Sequence, residues 1–284
     1  MENKPRKLWL AGVLTFFTIG LGHIYSGELK RAAAFYAGQY IVLLACMTGL
    51  FLFPSFMVLL MAVFLGFAYF IYCLIDAVRT AGKGKPFYQI KRFNRWYVYL
   101  GIVLGTSFVI QPIVSSSIKG NIIQAYKIPA GSLKPTLLTG DQILAKKSKA
   151  LKNGIQKGDI IIFPYPENPS KEYIKRVIAV GGETIEIIDK KVYINGNQIE
   201  ESYVIHLDGR ILPGKTSVRD NLRPVTVPDD AFFVMGDNRD NSHDSRFWGF
   251  VKKSAVTGKA ALIYWSWDSE NMAIRWNRIG RRVN

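Results

Sequence analysis

Three stretches of this chain, about residues 32–53, 56–78 and 97–117, are continuously apolar over a length that suits a hydrocarbon core, which takes roughly 20 such residues to cross. They dominate residues 1–118, which are therefore expected to form a multi-pass α-helical membrane region. Residues 119–284 read differently. Apolar and polar positions alternate in short runs broken by Asp, Asn and Gly, the pattern of a mostly antiparallel β domain. Asp159–Phe163, Thr184–Ile188 and Val192–Ile194 are strand candidates. Lys157–Gly158, Asp189–Lys190 and Asn195–Gly196 supply turns between them. The overall hydrophobic content of 49% averages over two unlike halves.

Lys and Arg mark the cytoplasmic side of short membrane loops. The densest cluster, Arg79, Lys83, Lys85, Lys91, Arg92 and Arg95, precedes the last span, so that loop belongs inside and the domain after residue 118 outside. Traced backwards, Pro54–Ser55 falls outside and Lys30–Arg31 inside. A fourth run, 8–26, is interrupted by Gly20, Gly22 and His23, and the tail before it carries Lys4, Arg6 and Lys7. Both of its ends prefer the inner side, so it reads as a re-entrant or interfacial helix; the alternative is a fourth span with a basic tail outside. Ile24–Gly27 lacks a small-x-small cleavage site, which argues against a removed signal segment. The glycines suit close helix packing with His23 bonded to a neighbour, and Asp76, one turn before Arg79, reads as half of an interfacial ion pair. The net charge of +16 comes with no zinc-finger, RRM or helix-turn-helix pattern, so anionic lipid rather than nucleic acid is the expected partner. Both cysteines, Cys46 and Cys73, lie in apolar segments, and the β domain has none to pair.

The chemistry is concentrated in three blocks. Ser132 lies in Ile128–Thr136, directly after the last span. A serine hydroxyl needs a base to take its proton as it attacks. Lysine serves only when neutral, which at a pKa of about 10.4 is true of on the order of one in a thousand near pH 7.4. An apolar surrounding lowers that pKa. Lys175 has such neighbours: in Tyr173–Val180, alternation puts it on one face with Tyr173, Val177 and Ala179. The third block, Gly236–Gly249, is polar and charged between the apolar Phe232–Met235 and Phe250–Val251, where rigid scaffolds hold functional loops. Against this stand the ordinary roles of a turn serine and a solvated strand lysine. Ser242, His243 and Asp244 are triad types, but neighbours in sequence cannot arrange themselves as nucleophile, base and orienter. Asp240, Ser242 and Asp244 alternate as in a calcium loop without its glycine and terminal glutamate. No CxxC or HExxH spacing occurs, and neither a metal nor another cofactor is expected.

Together these blocks resemble bacterial type I signal peptidase, the membrane-anchored serine-lysine peptidase of the S26 family. IPAGSLKPTLLTGD resembles the nucleophile box, KGDIIIF the strand after it, YIKRVIAVGGETIEI the lysine box and GDNRDNSHDSRFWGFV the last signature, in family order over roughly residues 122–284. Arg278–Ile279–Gly280 resembles the usual ending. The resemblance implies a β domain of the signal peptidase type. It makes Ser132 the nucleophile, Lys175 the general base and the Ser132 N–H an oxyanion donor. Ser242 would hold the lysine, and Asp237, Asp244, Arg246 and Arg176 would brace the cleft. Two residues before the nucleophile, where relatives often carry a second, hydroxyl donor, this chain has Ala130. The implied activity is removal of signal peptides from exported preproteins by cleavage after small residues. Its setting would be the outer, periplasmic or extracytoplasmic, face of the bacterial cell (inner) membrane, with the bilayer and preproteins as partners and the secretion translocon nearby. Trp265, Trp267 and Trp276 are candidates for dipping into the interface or for ordinary packing. Two rivals are a maturation peptidase of the same family with a narrower task, and a catalytically weak or inactive peptide-binding scaffold.

Overall fold

The computed structural model describes residues 6–53, 55–83, 91–147 and 154–283, without the side chains of 118–121. Lys4, Pro54 and Lys85, used above for topology, lie outside the described residues. The chain divides into two compact units, Met1–Lys119 and Gly120–Asn284.

The first unit is helical. α1 (Leu8–Phe17) and α2 (Leu21–Tyr25) are short, and the break between them falls at Gly20, whose φ of 96° suits glycine. α3 (Leu29–Leu52) and α4 (Phe56–Gly82) are long and apolar. α5 (Trp96–Gly105) runs through a single π-helical turn, Thr106–Ile110, into α6 (Gln111–Asn121). Leu29–Leu52, Phe56–Gly82 and Trp96–Ser117 are each long and apolar enough to cross a membrane. At 1.5 Å per residue α1 spans only about 15 Å, half a hydrocarbon core. Gly22 is where α2 meets its neighbours most closely: a Cβ there would lie 2.3 Å from the Ala11 carbonyl oxygen and 3.0 Å from the Ala77 Cβ. His23, fully buried, stacks on Phe35, and its Nε2 lies 3.0 Å from Asp76 Oδ2. Among the described residues Asp76 is thus hydrogen-bonded to His23 and lies 3.8 Å from the Arg31 guanidinium. The expected pairing with Arg79 is corrected: α4 turns Asp76 inward, toward α2 and α3.

The second unit is a β domain. Its strands are β1 (Ile123–Lys127), β2 (Asp141–Lys147), β3 (Ile160–Tyr165), β4 (Asn168–Val180), β5 (Thr184–Ile188), β6 (Lys191–Ile194), β7 (Asn197–Gln198), β8 (Leu222–Thr226), β9 (Ala231–Met235), β10 (Val251–Lys252), β11 (Gly258–Asp268) and β12 (Ala273–Ile274). The larger sheet has the order β1-β2-β11-β3-β4-β9-β10, with β12 on β11; the smaller is β7-β6-β5-β8. All these strand pairings are antiparallel. The tight turns fall where the sequence places them. Asp189 and Lys190 both have positive φ, as do Asn195 and Gly196, the geometry that matches a hairpin's twist.

The larger sheet buries both faces. On one, Ile160 and Ile162 pack with Ile143, Ile263 and the loop residues Leu133 and Leu137; on the other, Ile161 and Phe163 pack with Val177 and Val234. β4 belongs to both layers because of a bulge. Val177 pairs with Val234 and Ala179 with Phe233, leaving Ile178 as the extra residue. Such an insertion reverses the alternation beyond it. The expectation that Ala179 shares a face with Lys175 is therefore corrected: Ala179 packs with Phe233 and Met235 in the layer over β5 and β6.

Candidate active site

Lys175 pairs across the sheet with Ile161 and lies between Tyr173 and Val177 on its own face. It is 4% exposed. Burial among these apolar groups pushes its pKa down to about 8, against the upward pull of the Asp244 charge and with some help from Arg246. Its Nζ donates to Ser242 Oγ at 3.0 Å, and Ser242 Oγ donates in turn to Asp244 Oδ2 at 2.7 Å. Asp244 is wholly buried and caps the short helix α7 (Ser245–Trp248). It also accepts from the Gly236 N–H at 3.0 Å and from Arg246 Nε and Nη2 at 2.8 and 2.9 Å. Burial alone would raise the Asp244 pKa; the Arg246 charge and these hydrogen bonds outweigh it and hold the carboxyl below its ordinary range. Arg246 is satisfied further by the Arg219 and Arg239 carbonyls.

Alternation sends the next residue, Arg176, to the opposite face of β4. Its Nε and Nη2 meet the two carboxylate oxygens of Asp237, each at 2.8 Å, and Nη1 donates to the Gly158 carbonyl at 2.7 Å. Thr136 Oγ1 donates to Asp237 Oδ2 at 2.5 Å. The guanidinium also lies 3.9 Å from the centre of the Tyr203 ring.

Ser132 is carried by a loop closed at its base, where Ile128 N–H donates to the Asp141 carbonyl and Gly140 N–H to the Ile128 carbonyl. Leu133 and Leu137 anchor the loop in the core, leaving Ser132 half-buried and Ala130 exposed. From the far end of the chain Arg278 pairs with the buried Asp141 and donates to the Thr136 carbonyl at 2.8 Å. The loop meets the third block at Gly236. A Cβ there would lie 2.4 Å from the Ser132 carbonyl oxygen and 2.3 Å from Ser242 Oγ, so any side chain would force the two apart. Asn238 holds the same loop, its backbone N–H donating to the Ser132 carbonyl at 3.1 Å and its Nδ2 to the Gly131 carbonyl at 3.2 Å.

The structure thus gathers Ser132, Lys175, Ser242, Asp244 and Arg246 around Gly236, and sets Arg176 and Asp237 beneath them with Thr136. Ala130 brings only a methyl group. His243 is exposed, with its ring stacked on Phe247 at 5.1 Å and edge-on to Tyr165, and is hydrogen-bonded to neither Ser242 nor Asp244 among the described residues, so it forms no triad with its neighbours. Sequence reasoning singled out neither Thr136, Gly236 and Asn238 as part of the site nor Asp141 and Arg278 as its brace. All five lie inside the motif blocks, but nothing in their spacing says what they touch.

The chain matches the family described as "Signal peptidase, peptidase S26" over residues 101–265, more than half its length. It is 36% identical over 200 residues to signal peptidase I of Aquifex aeolicus (strain VF5), covering 52% of this chain and 78% of that protein. With signal peptidase I of Leptolyngbya laminosa it shares 35% over 160 residues, 54% of this chain and 74% of that one. A crystal structure of a signal peptidase I from Enterococcus faecalis V583 is 37% identical and aligns over 38% of this chain and 97% of that one, with a TM-score of 0.31. The chain belongs to the S26 signal peptidase family. α1 to α4 precede the matched region.

Proposed function

We propose that this protein is a membrane-bound serine endopeptidase that removes N-terminal signal peptides from exported preproteins, cleaving after small residues. Ser132 is the nucleophile and Lys175 the general base. The observation that carries the reading is the hydrogen bond from a buried lysine, its pKa down at about 8, to Ser242 Oγ, with Ser242 and Ser132 packed against one glycine. At that pKa roughly one lysine in five is neutral at pH 7.4, a gain of about two orders of magnitude over the free side chain.

In the reaction, neutral Lys175 accepts the Ser132 Oγ proton as Oγ bonds to the substrate carbonyl carbon and the π electron pair moves onto oxygen. The Ser132 N–H is the donor for that oxyanion. Collapse breaks the C–N bond, and the Lys175 ammonium returns its proton to the leaving amine, the new N-terminus of the mature chain. Water then attacks the ester and gives its proton to Lys175. The C–Oγ bond breaks, Lys175 protonates Oγ, and the signal peptide departs with a carboxylate. Arg176, Asp237, Asp244 and Arg246 hold the loops and do not exchange protons.

Residues 1–118 are the membrane region in this reading, with segment 8–26 not crossing, and residues 119–284 lie on the outer side of the bacterial cell membrane. The shortness of α1 and α2 and the basic residues before the last span support that arrangement. The exposed Trp267 and Trp276 suit contact with the bilayer, and the spans raise the concentration of a lipid-embedded substrate near the site. The full chain reconstituted in lipid vesicles is expected to cut a model preprotein after a small residue, located by sequencing the product N-terminus. Ser132→Ala and Lys175→Ala should each lower the rate at least ~10⁴-fold, as removal of a nucleophile or its base does. Processing at the wild-type rate by both variants would overturn the dyad. Absence of cleavage by the wild type itself would favour the peptide-binding scaffold, a reading to which the bare Ala130 lends weight. A reporter joined after residue 118 should be found outside.

A further inference from the structure

Asn238 is almost wholly buried, at 1% exposed, yet its Oδ1 has no hydrogen-bond partner among the described residues. An idle buried acceptor is costly, and reversing the amide would set oxygen against the Gly131 oxygen, so the side chain is held there for what its Nδ2 does. That atom donates to the Gly131 carbonyl. The peptide group is planar and trans, so the Gly131 carbonyl and the Ser132 N–H lie in one plane and point in opposite directions. Fixing the oxygen fixes the direction of the N–H. The Asn238 backbone N–H, by donating to the Ser132 carbonyl, fixes the next peptide plane as well. Asn238 is itself anchored where its segment bridges Ile205, with the Arg239 N–H on the Ile205 carbonyl and the Ile205 N–H on the Asp237 carbonyl. The Ser132 N–H, for its part, meets no acceptor among the described residues and is left to a ligand.

We infer that Asn238 is the positioning residue of the oxyanion site: by clamping the Gly131 and Ser132 carbonyls it aims the Ser132 N–H at the substrate oxygen and strengthens it as a donor. The inference rests on Ser132 being the nucleophile and adds which residue orients its amide. Polarisation runs through the peptide, since a donor on the carbonyl draws electron density from the N–H and makes it more acidic. The clamp matters more here because Ala130 offers no hydroxyl to share the developing charge, so a single N–H must be well aimed.

The test compares Asn238→Ala and the nearly isosteric Asn238→Leu, each alone and with Ala130→Ser, in the full chain in lipid-detergent micelles with a peptide substrate. The variant that keeps the wild-type melting temperature is the one read. We expect kcat to fall on the order of 10- to 100-fold, the scale of a misaimed catalytic donor, with KM changed by no more than about twofold because ground-state binding is untouched. Affinity for a peptide aldehyde, whose serine adduct carries the same oxyanion, should fall in proportion to kcat. With Ala130→Ser a second donor shares the load, and the loss should shrink at least about threefold, a coupling that a purely structural role would not produce. Unchanged kcat, a loss confined to KM, or equal losses in both backgrounds would overturn the inference. Ser132→Ala is run beside them. Wild-type turnover by that variant would sink the serine mechanism itself, whereas its inactivity combined with full activity of the Asn238 variants sinks only the role of Asn238.

Discussion

Lys175 and Arg176 are adjacent cations on one strand, both nearly excluded from water at 4% and 2% exposure, and they are treated in opposite ways. Arg176 receives a carboxylate in bidentate contact, a carbonyl, a hydroxyl and an aromatic face. Lys175 receives one neutral hydroxyl and, more distantly, the Tyr173 ring; the carboxylate of Asp244 is one hydrogen bond further on and already neutralised by Arg246. A guanidinium cannot shed its proton, so a buried arginine must be compensated where it stands. A lysine can, and withholding the carboxylate is what lets desolvation bring its pKa down to about 8. Two faces of β4 thus separate a permanent charge that holds loops together from a titrating one suited to proton transfer.

Breaking the arginine side should have the largest effect. Asp237→Ala leaves the buried guanidinium without its carboxylate, which costs about 3–5 kcal/mol; thermal unfolding in detergent should show it at any pH near neutrality. Making the lysine side resemble the arginine side comes next. Tyr173→Glu, at a position whose ring centre is 5.8 Å from Nζ, puts a carboxylate beside the ammonium. It should lower turnover at pH 7.4 on the order of 100-fold by returning the lysine toward its ordinary pKa, and move the rise of the pH–rate profile from near 8 to about two units higher.

Removing the buried charge altogether should separate stability from activity. Lys175→Met is expected to be inactive yet more stable at pH 7 by roughly 1–3 kcal/mol. The folded-state pKa lies below the unfolded one, so the unfolded chain binds more protons between about pH 8 and 10.4 and wild-type stability rises across that window. The advantage of the variant is accordingly full below pH 8 and fades as pH climbs toward 10.4. Melting curves at several pH values read this directly. The smallest effect belongs to Ser242→Ala, which removes the hydroxyl holding Nζ and should cost about tenfold in kcat with KM little changed.

Of the fold, the division into an apolar helical part and an alternating β part could be read from hydropathy, since both periods follow from local geometry. The hairpins were equally legible, because Asn195–Gly196 and Asp189–Lys190 favour the backbone that the turns adopt. The bulge at Ile178 was not, for an extra residue in an apolar run leaves composition unchanged and shows only against the partner strand, where Val177 meets Val234 and Ala179 meets Phe233. The site divides the same way. Residue types in the three blocks carry the chemistry, but which carboxylate serves which cation is set by tertiary register: Arg176 meets a partner 61 residues away, and Lys175 meets Ser242 67 residues away. The pairing of Asp76 with His23 and Arg31 rather than Arg79 was hidden for a related reason, since the rotation of α4 about its axis depends on neighbours that sequence distance does not reveal.

Arg278 closes the loop that bears Ser132 from 142 residues downstream of Thr136. Translation at about 5–20 residues per second separates the synthesis of these two residues by roughly 7–30 s. For the last 29 residues of that interval, about 1.5–6 s, the serine, the lysine and the polar block all exist in the growing chain while Asp141 still lacks its guanidinium. The loop can reach its braced form only after the last strands are made, which builds a delay into the birth of the protein.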